Sequence, residues 1–111
     1  MTSQTEARMS YYVTVPHRAE LTHYDAGRRI IQSVPQSVEK VTVDLSRIGW
    51  GAPIHWLWVQ GVVNACFDVR SIDRLEFVCA HPRLSRLMAL VGNVDRCRET
   101  PVRDRITVLE C

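Results

Sequence analysis

Four short segments of the chain have the apolar pattern of β-strands. They are YYVTVP (11–16), VTVDL (41–45), LEFVCA (75–80) and ITVL (106–109). In VTVDL the residues Val41, Val43 and Leu45 alternate with polar ones, so the period-two spacing places all three on one face of a strand. LEFVCA is a short apolar run, which is typical of a strand in a sheet covered by helices.

The intervals between these strands have the apolar period of helices. The first predicted helix follows Thr22, its expected N-cap, and ends before Pro35. The second is predicted to begin at Pro53, because proline is favoured at the first helical position. The third covers about 82–91, and Gly92 is placed to end it in a left-handed cap. Strands that alternate with helices predict an α/β fold with a partly parallel sheet and right-handed crossovers.

The second predicted helix is apolar on two opposite faces. The natural core face consists of Ile54, Leu57, Trp58, Gly61, Val62, Ala65 and Val69. The opposite face carries Trp56, Val59, Val63 and Phe67 at helical spacing. Neighbouring helices could cover this second stripe, or it could be an exposed patch that binds a partner or a second copy of the chain. We favour the exposed patch, because three helices offer little cover and because Trp and Phe often anchor interfaces.

Length and composition are those of one ordinary globular domain spanning residues 1–111, of which residues 1–9 are expected to be flexible. The chain has 111 residues, of which 46% are hydrophobic and 23% charged, with a formal net charge of +2. Its arginines are scattered, so no basic stripe indicates nucleic-acid binding. No signal peptide and no apolar run of membrane-spanning length is evident. We therefore expect a cytoplasmic protein without membrane insertion.

The cysteines and histidines are not arranged as metal ligands. No two of the four cysteines have C-x-x-C spacing, and the four histidines do not pair with them at zinc-finger spacing. Cys66 and Cys79 lie in apolar surroundings and are predicted to be core thiols. We expect no metal and no cofactor.

The segment DLSRIGWGAPIHWLW (44–58) reads as a strand, a turn and a helix, which is where many α/β proteins place their chemistry. The candidate reactive side chains near the strand ends are those of Asp44, Ser46, His55 and His81. Catalysis would need a nucleophile or a paired acid and base. Between Ser46 and His55 the sequence has no hydroxyl, carboxylate or thiol, so we predict that the protein is not an enzyme. Asp44 is expected to bond the following turn. A small-ligand-binding module stays open, with an apolar molecule against Trp50, Trp56 and Phe67 or a nucleotide at the free N–H groups before Ile54.

Three segments together resemble the STAS domain family, which is named for sulfate transporters and anti-sigma factor antagonists. They are AELTHYDAGRRI, VEKVTVDLSRIGW and HPRLSRLMALVGNVDRC, and the likeness covers roughly residues 11–100. The resemblance implies a four- or five-stranded mixed sheet with helices packed mainly on one face. It also implies no enzyme activity and a role as a binding partner of other proteins.

The chain departs from this family at the phosphorylation switch. In the antagonists a serine or threonine at the start of the second helix accepts phosphate, within a D-S/T-x-G-like phrase that should fall near residues 51–55. Here Ala52 and Pro53 occupy these positions and cannot be phosphorylated. Ser46 is the nearest hydroxyl, but a serine in a turn usually bonds the local backbone. The expected partner-binding residues are Trp50, Ile54, His55, Trp56, Val59, Val63 and Phe67.

From the resemblance we expect a protein-interaction domain that acts in bacterial signalling or transcription regulation without the usual phospho-switch. The partner would be an anti-sigma factor or a related kinase-like protein. The alternatives are an accessory subunit of an ABC-type membrane transporter and the small-ligand-binding module. Self-association through the second stripe of the second helix, which would give a homodimer, is a separate hypothesis.

Overall fold

The computed structural model describes residues 9–49 and 51–111. The predicted flexible N-terminus therefore lies, except for Met9, outside the described residues. The strands are β1 (Ser10–Thr14), β2 (Lys40–Asp44), β3 (Arg74–Cys79) and β4 (Ile106–Glu110). The α-helices are α1 (Tyr24–Gln32), α2 (Trp56–Asn64) and α3 (Leu84–Arg96). A π-helical turn (Ala65–Val69) extends α2, and short 3-10 turns (His81–Arg83 and Arg103–Arg105) precede α3 and β4.

The four strands form one parallel sheet in the order β1-β2-β3-β4. The predicted α/β class is confirmed, but the predicted mixed sheet is not, because every strand pair in the described part of the chain is parallel. Each connection contains a helix that returns the chain to the same end of the sheet. Because each right-handed crossover moves one strand further in the same direction, all three helices belong on one face.

The two faces of the sheet differ in burial, as this topology requires. Val41, Val43 and Phe77 are fully buried, and the Phe77 ring contacts the Trp58 ring of α2 at a centroid distance of 6.4 Å. The opposite face carries polar side chains, and Tyr12 and Leu109 there are exposed. On that face Thr42 Oγ1 donates to Glu76 Oε1 at 3.1 Å, and Tyr12 donates to Asp44 at 2.6 Å.

Helices α1 and α2 are in backbone contact at two glycines. A Cβ atom added to Gly27 would overlap the carbonyl oxygen of Trp58, and one added to Gly61 would overlap the carbonyl oxygen of Tyr24. Both glycines are buried. Each helix therefore needs glycine where it crosses the other, because any side chain would push the two backbones apart.

Two of the predicted helix ends differ from the structure. The N-cap of α1 is His23, without a side-chain cap, rather than Thr22. Helix α3 does not end at Gly92 but continues to Arg96, because Val94 adds one more buried residue to its core face. No helix of the described ranges combines the length and the apolar character that crossing a membrane requires.

Candidate functional site

The carboxyl ends of the four strands meet at one end of the sheet, because the strands are parallel. In open α/β sheets, binding sites lie outside these ends. The connection from β2 to α2 spans residues 45–55, and we call it the corner. Loops that follow β1 and β3 contact it on either side.

Two side chains from these neighbouring loops hold the corner in place. Arg83, just after β3, donates from one guanidinium nitrogen to the carbonyl oxygen of Ala52 at 2.9 Å and from the other to that of Gly49 at 2.5 Å. His17, just after β1, makes a 3.0 Å hydrogen bond through Nδ1 to the carbonyl oxygen of Arg47. Since a carbonyl only accepts, Nδ1 of His17 carries the proton in this contact. Arg83 and His17 thus hold the backbone of the corner through its carbonyl groups, while the side chains of Leu45, Ile48 and Ile54 anchor it in the core.

A backbone bridge sets where the helix after the corner begins. Ile54 pairs with Leu21 in a parallel bridge, and the N–H of His55 donates to the carbonyl oxygen of Leu21 at 2.8 Å. The backbone is therefore extended at this point, and α2 begins at Trp56. The predicted start at Pro53 is wrong, because this bridge delays the helix.

His55 is the N-cap of α2, and Trp56 is its first residue. The ring nitrogen Nδ1 of His55 accepts the backbone N–H of Leu57 at 3.1 Å, which satisfies one of the unpaired donors of the first turn. The rings of His55 and Trp56 are 5.9 Å apart at their centroids. Both residues are exposed, so this predicted pair does lie on the surface.

The carboxylate of Asp44, at the end of β2, bonds both the start of the corner and the neighbouring strand β1. Its Oδ1 accepts the N–H of Ser46 at 2.8 Å, and its Oδ2 accepts the hydroxyl of Tyr12 at 2.6 Å. The prediction that Asp44 bonds the following turn is confirmed. Burial alone would raise the pKa of this carboxyl, but the hydrogen bonds from Ser46 and Tyr12 and the charge of Arg47 outweigh it and lower the pKa. Asp44 is therefore held as a carboxylate.

Most of the predicted apolar stripe of α2 lies inside the protein. Val59 and Val63 are fully buried and Ile54 nearly so. The prediction of an exposed stripe is wrong at Val59 and Val63, because α1 packs against one side of α2 and α3 against another. Ile54 is buried as expected of the core face, so it is not an exposed partner-binding residue. A second copy of the chain cannot reach Val59 or Val63 in this fold. The earlier assumption that three helices leave the second stripe uncovered does not hold.

The remaining predicted residues have mixed positions. Phe67 is half-buried, with the guanidinium of Arg105 5.3 Å from its ring centroid. Trp56 is 42% exposed and Pro53 is also exposed, whereas Ala52 is half-buried. The predicted contact residue Trp50 lies outside the described residues. Of the predicted surface, the structure therefore leaves His55 and Trp56 accessible together.

The other reactive groups that the sequence offered are engaged or buried. Burial raises the pKa of the Cys66 thiol to about 12, and it also raises the pKa of Cys79. His81 contacts Glu110 at 3.1 Å. Within the ranges that the structure describes, no cluster of three or more His, Cys, Asp or Glu side chains could hold a metal ion.

A cleft separates the corner from α3. We call it the arginine cleft; it has a volume of about 160 Å³. Its walls are the corner segment 52–54 on one side and Pro82, Arg83, Arg86, Leu87 and Leu90 on the other. Sequence reasoning missed both arginines. The signal for them was the position of HPRLSR directly after β3, because residues that follow a parallel strand lie at the carboxyl end of the sheet.

A polar cluster at the C-terminal end of α2 is structural. Arg98 donates to both carboxylate oxygens of Asp68 at 2.7 and 3.1 Å and to Asn64 at 2.6 Å, and its Nε donates to the carbonyl oxygen of Thr100 at 3.2 Å. These contacts use four of the five N–H donors of Arg98, so the side chain pins the segment after α3 to α2.

Comparison with known proteins finds no matching family model, curated protein or solved structure. Functional conclusions therefore depend on the residues and geometry of this chain.

Proposed function

We propose that the protein is a non-enzymatic protein-interaction domain of the STAS type, and that its partner docks on the corner and the first turn of α2. The observation that carries the proposal is the exposed Trp56 beside His55, at the end of a segment held by Arg83 and His17. A large aromatic residue on a pre-ordered surface contributes contact area while losing little conformational freedom on binding.

The resemblance implies a phospho-switch at Ala52 and Pro53, which lie in the corner before α2 begins at Trp56. The N–H of Ala52 donates to the carbonyl oxygen of Gly49 at 3.1 Å, and its own carbonyl accepts from Arg83. Ala52 and Pro53 offer no hydroxyl, and both backbone polar groups of Ala52 are bonded. The proposed surface is therefore available at all times rather than only in a dephosphorylated state.

The resemblance of the sequence supplies the proposed setting. The domain acts in the cytoplasm of a bacterium, in signalling or transcription regulation, and its partner is an anti-sigma factor or a related kinase-like protein. The all-parallel sheet departs from the mixed sheet that the resemblance implies. Support for the proposal comes from the DLS strand end, bonded through Asp44, and from the exposed aromatic turn that follows it.

The test is an affinity purification from cells that express the protein, with two matched variants. Trp56→Asp places a charge on the proposed surface. Leu109→Asp places the same charge at a residue with nearly the same exposure, 41% against 42%, on the uncovered face of the sheet. We expect a captured protein that is lost with Trp56→Asp, retained with Leu109→Asp, and able to bind the purified domain directly.

Capture that survives Trp56→Asp would place the interface elsewhere and refute the proposed surface. A purification that returns only the domain itself would refute the signalling role. Circular dichroism of both variants confirms that each still folds, which is expected because both side chains are exposed.

A further inference from the structure

The arginine cleft has a chemistry that the proposed function does not use. Its floor is apolar, since Ile54, Leu87 and Leu90 are buried or nearly so. Arg86 stands exposed on its wall. Arg86 makes no hydrogen bond or ion pair with any residue in the part of the chain that the structure describes. A cation with no partner at the mouth of an apolar cleft favours a ligand that is both apolar and anionic.

The charges around the cleft reinforce this preference. No acidic side chain is among the described residues that line it, whereas two arginines are. Arg83 directs its guanidinium into the corner, so it builds the wall. Arg86 is three residues further along the chain, in the first turn of α3, and is left for the ligand.

The cleft adjoins the surface proposed for the partner protein, because its corner wall, residues 52–54, directly precedes His55 and Trp56. A small ligand would fill only the cleft. A polypeptide segment can place one large apolar side chain in a cleft of about 160 Å³ and continue from there onto the corner.

We propose that the arginine cleft binds an acidic segment of the partner protein, with an apolar side chain in the cleft and a carboxylate on Arg86. This inference rests on the proposed function, because it names the chemistry of the partner at the same surface. The carboxylate contact is at the rim, so it steers and selects the partner and weakens as salt concentration rises.

The test uses the full chain and an unbiased probe, a phage-displayed library of random twelve-residue peptides. We expect enriched peptides to combine Asp or Glu with a large apolar residue. A synthetic peptide of the enriched sequence, measured by fluorescence anisotropy, should bind Arg86→Glu at least tenfold more weakly. Arg74→Glu makes the same charge change at an exposed position at the opposite end of the sheet, and it should change binding less than twofold.

Replacing the acidic residue of the peptide by its amide should weaken binding to the unmodified protein by a similar factor. It should not weaken, and should partly restore, binding to Arg86→Glu, because it removes the repulsion between two carboxylates. Enriched peptides without carboxylates, or equal losses with Arg86→Glu and Arg74→Glu, would overturn the inference. A selection that enriches nothing would overturn it as well.

The variant Trp56→Asp separates this inference from the proposed function. Peptides that need Trp56 but not Arg86 would refute the acidic partner and leave the docking surface intact. Peptides indifferent to both positions would count against both.

Discussion

The contact between α1 and α2 and the corner between β2 and α2 both position the same helix, but by opposite physical means. In the first, Gly27 and Gly61 let two backbones touch inside the core. In the second, Arg83 and His17 reach across from neighbouring loops and bond carbonyl oxygens near the surface. One contact depends on the absence of side chains and the other on long polar ones.

The two contacts should therefore fail differently. Packing in a dense core cannot give way locally, so a change there affects the stability of the whole domain. Polar bonds near the surface compete with water, so their loss opens a short segment while the core stays intact. A surface that binds partners through such a segment can be altered without unfolding the protein.

The largest effect is expected from Gly61→Ala. The added methyl group would overlap the carbonyl oxygen of Tyr24, which is backbone and cannot rotate away. We expect the free energy of unfolding to fall by about 3 kcal/mol, the upper range for overpacked cores. Chemical denaturation followed by circular dichroism measures this change.

Gly92→Ala is the matched control for that prediction. Gly92 also lies in a helix, but nothing is within 4 Å of an added Cβ atom. The free energy of unfolding should rise by about 0.5–1 kcal/mol, because alanine is the better helix former. If both variants were stabilised alike, α1 and α2 would not be in backbone contact.

A smaller and local effect is expected from Arg83→Met, which keeps much of the side-chain volume and removes the bonds to Gly49 and Ala52. The described backbone amides of the corner should exchange with solvent about tenfold faster, which corresponds to about 1.4 kcal/mol. Amides in α1 and α2 should change much less.

Arg86→Met is the matched control, because it removes a guanidinium from the first turn of α3 that makes no hydrogen bond to the described residues of the corner. Hydrogen exchange in the corner should stay as in the unmodified protein. Exchange that accelerates equally throughout the domain in Arg83→Met would show that the corner and the core do not open separately.

The smallest effect is expected for the stability of the protein at acidic pH. A carboxyl whose pKa is lowered in the folded state stabilises the protein above its ordinary value of 3.8 and loses that contribution as the pH falls through the folded pKa. We therefore expect Asp44→Asn to be less stable than the unmodified protein at neutral pH and to lose less stability on acidification below about pH 4. Thermal unfolding across this range measures the difference. Asp104→Asn makes the same substitution at an exposed position and is the control for stability at neutral pH, where it should change little.

The strands and helices could be predicted from periodicity, because buried positions recur along the sequence at the period of each element. Val41 and Val43 alternate with polar residues and are indeed buried in β2. Strand direction was predicted only in part, because the alternation of strands and helices indicates a partly parallel sheet, whereas the mixed sheet was implied by the family resemblance. Gly92 was taken for a helix end, but the core face of α3 continues to Val94 and overrides the local preference of glycine.

The candidate site was less accessible from sequence. Val59 and Val63 repeat at helical spacing opposite the core face, which fits an exposed stripe or a covered one. Only the packing of α1 and α3 against α2 decides that they are core. Arg83 and Arg86 carried no motif, because their role depends on a cleft between segments that are distant along the chain. His55 and Trp56 are exposed as expected, but the predicted helix start at Pro53 was not the reason, since α2 begins at Trp56.

The consecutive strand order also governs how the chain assembles as it is synthesised. Each strand pairs with the next one, about thirty residues further along, so the sheet can grow in the order of translation. Until β4 emerges, β3 is the growing edge, with Leu75 and Phe77 on an unfinished strand. Such an edge is a template for pairing with another chain. Before β4 pairs with it, β3 therefore presents an open edge that the complete sheet covers.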